Sequence, residues 1–208
     1  MVTGGIFNSM LKKGVLEDMK SRGIKWTFIG SVDNVLLKSV DSLLIGMSQV
    51  NNTPVGTRTI LKNAPNERVG IFCKQNNKVK VIEYTEIPEE IAEKKDKNGE
   101  FVFGESHIMC NLFHIDSLKR ASTKELNYHV AFKKSNYIDE NGDLVIPSEP
   151  NCYKFEKFIF DAFSIFDDIS ILRGKREEDF APVKNAKGID SPETAKILYE
   201  SYWKKVKK

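Results

Sequence analysis

Two apolar runs, Val69-Gly70-Ile71-Phe72-Cys73 and Val79-Lys80-Val81-Ile82-Glu83-Tyr84, stand on either side of Gln75-Asn76-Asn77-Lys78. That spacing predicts an antiparallel β-hairpin. The hairpin sits inside a chain whose flanks alternate between strand and helix signals, so the pattern predicts an α/β fold built on a sheet of mixed direction.

The flanking signals are local. Ile6, Phe7, Met10, Leu11, Val15, Leu16 and Met19 recur at three- and four-residue spacing and predict one helix, closed by Gly23 as a C-cap. Lys25-Trp26-Thr27-Phe28-Ile29-Gly30-Ser31 predicts a buried strand. Residues 35–47 predict a short apolar helix, and Asn51-Asn52-Thr53-Pro54 a turn. Residues 58–61, 101–103, 108–113 and 169–172 predict strands, while 87–95, with Pro88 near the first turn, predicts a helix. Residues 123–133 predict another, with Thr123 as N-cap. Asn141-Gly142 marks a tight turn between Tyr137-Ile138 and Leu144-Val145-Ile146. The aromatics Phe155, Phe158, Phe160 and Phe163 predict a helix buried nearly all round, with Phe155 and Phe163 as core. Pro192–Val206 predicts a terminal amphipathic helix before Lys207-Lys208.

Composition excludes more than it assigns. A net charge of +3 over 208 residues is too small to point to nucleic acid or an anionic membrane. No apolar run approaches the roughly 20 residues of a membrane span, and the first residues do not form a signal peptide. Cys73, Cys110 and Cys152 are odd in number and lack CxxC spacing, and His107, His114 and His129 are scattered. The expectation is a reduced, cytoplasmic protein without a disulfide framework or a zinc site.

Five stretches, taken together and in order, carry a resemblance. They are Gly4-Gly5-Ile6-Phe7; Val32-Asp33-Asn34-Val35-Leu36-Leu37-Lys38; Val69-Gly70 with Glu83-Tyr84-Thr85-Glu86-Ile87; Glu156-Lys157-Phe158-Ile159-Phe160-Asp161; and Arg176-Glu177-Glu178-Asp179-Phe180-Ala181-Pro182-Val183-Lys184-Asn185-Ala186. In this order and spacing the chain resembles the eukaryotic-type UDP-N-acetylglucosamine pyrophosphorylases. The resemblance implies a nucleotidyltransferase-type, Rossmann-like (GT-A-like) central domain. Residues 1–185 would be its sugar-binding half, and residues 186–208 the start of a C-terminal domain or a helical tail. It also implies transfer of a uridylyl group from UTP to an N-acetylhexosamine 1-phosphate with release of pyrophosphate. UDP-glucose or broad-range chemistry stands as an alternative in the same class, and a non-catalytic sugar-nucleotide-binding module as one outside it.

The resemblance further assigns roles to residues. Glu83 and Tyr84 match a substrate-binding pair, the carboxylate accepting sugar hydroxyls; outside the family such a pair would read as a strand-end Glu beside a packing Tyr. Lys184 matches a lysine on the phosphates, placed to stabilise shifting charge. Asp33 stands either as a ligand of Mg²⁺, the expected cofactor, or as the N-cap of a following helix. Phe158 and Phe160 match the lining of an N-acetyl pocket. Gly70 matches a backbone contact to the sugar, and Gly4 belongs to the opening substrate motif. His107 stands where the family pattern has a sugar-contacting Asn, Thr3 where it has Asn or a similar residue, and Val2 where it has a glycine on uracil. The family's Gly-rich loop, its lysine and its uracil-reading glutamine would lie upstream of Gly4, in this chain or another. The 208 residues alone are therefore expected to be inactive.

Overall fold

The computed structural model describes residues 3–206; Val2 and Lys207-Lys208 lie outside the described residues. The first amphipathic stretch forms two helices, α1 (Gly5–Lys12) and α2 (Val15–Ser21), where the periodicity predicts one. Gly14 breaks it with φ of 70°, a left-handed conformation glycine adopts without steric penalty, and Gly23 repeats this just past α2. Strand β1 (Trp26–Gly30) follows, half-buried along its length instead of buried. Helix α3 (Ser42–Val50) begins well after residue 35, because the Asp41 carboxylate accepts the Leu44 amide at 3.1 Å and caps it there.

Strand β2 (Val55–Leu61) precedes the hairpin of β3 (Gly70–Gln75) and β4 (Lys78–Ile82), whose turn residues Asn76 and Asn77 take φ of 51° and 60°. Helix α4 (Glu89–Ala92) is a single turn, and residues 101–103 contribute only a bridge from Phe101 to Lys95. Strand β5 (Glu105–His114) runs directly into α5 (Ile115–Ser122). Thr123 closes α5 instead of opening a helix, and the predicted helix over 123–133 gives way to β6 (His129–Lys133). The short hairpin β7 (Tyr137–Ile138) and β8 (Leu144–Val145) forms as expected. Strand β9 (Cys152–Glu156) pairs antiparallel with β6, so Phe155 is 57 % exposed on a ribbon and is not core. A 3-10 helix over Ile159–Ile165 holds Phe160 and Phe163, followed by β10 (Ser170–Arg173), α6 (Arg176–Asp179) and α7 (Pro192–Val206).

The main sheet runs β10-β2-β5-β3-β4, with β1 also on β5. Only β10 and β2 are parallel, so the sheet is mixed as the hairpin requires. One face packs Phe7, Leu16, Phe113, Leu118 and Phe163 under α1, α2, α5 and the 3-10 helix; the other buries Ile60, Val69, Ile108, Cys110 and Phe180. Strand β5 is the pivot: β1 pairs with its second half and β3 with its first, both along one edge, and β2 lies along the other. Between Thr57↔Asn111 and Thr59↔His107, three residues of β5 oppose Arg58 alone. Met109 in this bulge takes φ of 52°, and its carbonyl accepts the Ser31 amide at 3.0 Å, which fixes where the chain leaves β1.

Candidate active site

The end of β1, the mouth of the β3–β4 hairpin, the middle of β5 and the β6–β9 ribbon enclose a cavity of about 380 Å³. Asp33, Gly70, Glu83, Tyr84, His107, Phe158, Phe160 and Lys184 all line it. Gly4 does not; it borders a separate hollow beside α5, where its amide donates to the Lys157 carbonyl at 2.7 Å. A Cβ on Gly4 would lie 2.8 Å from Lys157 Cβ, so close chain approach is what requires glycine there. Thr3 lines the main cavity, and its Oγ1 accepts the Ile159 amide at 3.0 Å.

One side of the cavity is built by the hairpin and the aromatic wall. Glu83 follows β4 and is half-buried, and burial, reinforced by the neighbouring Glu86, raises its pKa. Tyr84 stands at the rim, 41 % exposed. Gly70 pairs with His107 across β3 and β5, and a Cβ there would meet Val81 Cγ1 at 2.7 Å. Phe158 and Phe160 stack with centroids 4.9 Å apart and planes at 18°. Phe160 is 3 % exposed, so it is core as well as wall.

His107 is caged edge-on by Phe72, Phe160 and Phe163 and is 6 % exposed. Burial pushes its pKa down to about 4, against a hydrogen bond with Asn111 that favours the charged ring. At neutral pH the ring is uncharged, and Nε2 donates to Asn111 Oδ1 at 2.9 Å, leaving Nδ1 as an acceptor.

Asp33 and Lys184 sit on irregular chain that is heavily stitched. Asp33 follows β1 in a turn, half-buried, and accepts from the Ser31 hydroxyl; it caps no helix, since Asp41 opens α3. Asn34, buried, donates to the Asp179 carbonyl at 2.8 Å and accepts the Ala181 amide at 2.9 Å. The Asp179 carboxylate, buried at the end of α6, pairs with Lys38 at 2.9 Å and Arg58 at 3.2 Å, and Arg58 also binds Asp41. Lys184 is exposed, with Nζ donating to the Arg68 carbonyl at 3.2 Å and lying 5.6 Å from the Phe180 ring centroid.

The donor set fits Mg²⁺ more readily than zinc or calcium. Among the described residues no three His, Cys, Asp or Glu side chains gather where they could hold a metal. A single carboxylate beside a hydroxyl suits an ion that keeps waters and takes its remaining oxygens from phosphates. Among the described residues no helix is long and apolar enough to cross a membrane.

Two further residues line the cavity that the sequence does not single out for a role. Asn34 stands in a resemblance stretch without a role of its own, and the fold brings Asp179 and Ala181 to it from 145 and 147 positions away. His129, which bonds both Glu86 and Asp161, gives no signal because its partners lie 43 and 32 residues distant.

Comparison with known proteins places the chain in a family. Residues 2–191 match the family described as UTP–glucose-1-phosphate uridylyltransferase. A UDP-N-acetylhexosamine pyrophosphorylase-like protein 1 of Xenopus tropicalis is 37 % identical over 206 residues, covering 96 % of this chain and 40 % of that protein. The UDP-N-acetylglucosamine pyrophosphorylase of Saccharomyces cerevisiae is 35 % identical over 204 residues, covering 94 % and 43 % respectively. The crystal structure of the uridine diphosphate N-acetylglucosamine pyrophosphorylase of Trypanosoma brucei superposes with a TM-score of 0.74 at 29 % identity, covering 90 % of this chain and 37 % of that one. The chain thus spans about two fifths of the length of the curated relatives it matches.

Proposed function

This chain belongs to the UTP–glucose-1-phosphate uridylyltransferase family, and we propose that the protein carrying it transfers the uridylyl group of UTP to an N-acetylhexosamine 1-phosphate. An oxygen of the sugar phosphate attacks the α-phosphorus of UTP, the bond from that phosphorus to the bridging oxygen breaks, and pyrophosphate leaves. The observation that carries the reading is the convergence of Glu83, the Phe158–Phe160 pair, Asp33 and Lys184 on one cavity from segments up to about 150 residues apart.

Each group has a role its surroundings support. Glu83 accepts sugar hydroxyls at the half-buried end of the hairpin. The stacked rings of Phe158 and Phe160 offer an apolar wall to the acetamido methyl. His107 beneath them contributes an acceptor where a carboxamide would offer both donor and acceptor, which tunes the choice among epimers. Lys184, held near the rim by Arg68, supplies positive charge to the phosphates. Asp33 would hold Mg²⁺, which when bound neutralises phosphate charge.

The test is pyrophosphate release by the whole protein with UTP and, in turn, N-acetylglucosamine, N-acetylgalactosamine and glucose 1-phosphates. The reading requires kcat/KM at least about tenfold higher for an acetylated sugar, the discrimination expected of a small apolar pocket. In Phe158→Ala that preference shrinks; because Phe158 is less buried than Phe160, its truncation disturbs folding less. A preference for glucose 1-phosphate would give the UDP-glucose alternative.

A further inference from the structure

The imidazole of His129 lies between two carboxylates on different elements. Nδ1 is 2.7 Å from Glu86 Oε1, and Nε2 is 3.1 Å from both oxygens of Asp161. A neutral imidazole has one N–H and one lone pair, so one of the two ionised carboxylates would face a lone pair. The imidazolium donates to both. Its ring also lies 4.9 Å from Phe158, a contact that positive charge strengthens.

Each carboxylate is in turn tied to one side of the sugar subsite. The Glu86 amide donates to the Glu83 carbonyl at 2.9 Å, and Asp161 Oδ2 accepts the Phe158 amide at 3.2 Å. The charged groups around the ring come from every neighbouring element: Glu83 and Glu86 after β4, Asp161 on the 3-10 helix, and Glu156 with Lys154 on β9, where Glu156 is the cross-strand partner of His129. Burial opposes charge on the ring, yet the hydrogen bonds and fields of Glu86 and Asp161 outweigh it and raise the pKa above the usual histidine value.

We propose that His129, as an imidazolium, is a positioning residue that clamps the Glu83–Tyr84 turn to the Phe158–Phe160 wall and so sets the width of the sugar subsite. The proposal rests on the sugar-phosphate reading of this cavity. Its sign follows from the proton: as pH rises through the His129 pKa, one N–H is lost, one carboxylate meets a lone pair, and the two walls separate. Affinity for the sugar phosphate falls with rising pH, while affinity for UTP does not follow.

The experiment uses the whole protein, uniformly ¹⁵N-labelled for long-range histidine-ring and backbone-amide spectra and assayed between about pH 6.5 and about pH 9. Both His129 nitrogens are expected to be protonated at the lower limit, and the backbone amides of Tyr84 and Phe158 to shift with the midpoint of His129. KM for N-acetylglucosamine 1-phosphate should rise about tenfold across the range, as expected for loss of one charge-assisted hydrogen bond, while KM for UTP changes less than about twofold. His129→Gln should show the high sugar-phosphate KM at every pH, which separates the clamp from titration of the substrate itself. A neutral His129 at the lower limit, amides that ignore its midpoint, or a flat KM would each overturn the clamp. If His129→Gln does not fold, the wild-type titration and KM profile decide alone. A folded protein with coupled ring and amide titrations but no uridylyl transfer supports the clamp and rejects the substrate reading.

Discussion

Val183 donates its amide hydrogen to the carbonyl of Asp33 at 2.7 Å, one residue before Lys184. The segment expected to meet the metal and the segment expected to meet the phosphates are thus laced edge to edge, with Asn34 bridging to Asp179 and Ala181 behind them. The separation of Asp33 and Lys184 is set by this seam, since neither residue lies in a regular element.

Asn34→Ala tests the seam. It strands the buried Ala181 amide and the Asp179 carbonyl, at about 1–3 kcal/mol per orphaned group. The expected result is a lower urea midpoint together with a fall in kcat larger than the change in KM for the sugar phosphate. An unchanged midpoint would mean that the seam contributes nothing.

At Gly70, an added methyl would lie 2.7 Å from Val81 Cγ1 and 3.8 Å from Glu83 Oε1. Gly70→Ala should lower stability by about 1–3 kcal/mol through overpacking and raise KM for the sugar phosphate. Val81→Ala opens that contact, so the double variant should be less destabilised than the sum of the two singles. Strict additivity in chemical denaturation would show that Val81 is not the obstacle.

Glu83 sets stability against function. Its folded pKa is raised, chiefly by burial, so the folded state holds this proton more tightly than the unfolded chain. Stability from the group is complete below the ordinary glutamate pKa and is lost as pH rises through the raised value. Near pH 7.5, Glu83→Gln is therefore expected to melt higher than the parent while losing at least about tenfold in kcat/KM. A lower melting temperature would contradict the burial argument.

His107 works in the opposite direction. Its folded pKa is depressed to about 4, so the unfolded chain takes up the proton first as pH falls below the ordinary histidine value. Stability is complete above about pH 6.5 and declines toward pH 4, by about 3 kcal/mol if nothing rearranges. His107→Asn should flatten that acid limb in calorimetric scans, and an equally steep limb would assign it to the carboxylates instead.

The fold was legible where a local rule decides the element. The hairpin of β3 and β4, the short ribbon of β7 and β8, and Pro192–Val206 follow from turn residues and periodicity. The β6–β9 ribbon was not legible, because it inverts the usual pattern. Phe132, Tyr153 and Phe155 are exposed to solvent, while His129, Lys154 and Glu156 line the cavity. With aromatic residues outside and charges inside, apolar spacing suggests a helix. The convergence of Glu83, Phe160 and Lys184 could be anticipated only through family resemblance, since no local spacing joins them. Resemblance in turn did not reveal the isolation of Gly4 beside Lys157, which is a matter of chain approach.

The bulge at Met109 has a consequence for how this site tolerates change. Facing positions along a strand alternate with period two, so deleting one residue from 108–110 would turn His107, Ser106 and Glu105 to the opposite side of the sheet while leaving Asn111 and Phe113 in place. Substitutions there alter only what each position presents. A change in length would throw the cavity floor at His107 out of phase with the loop that carries Asp33, so in the middle of β5 it is the number of residues, more than their kind, that the cavity's shape constrains.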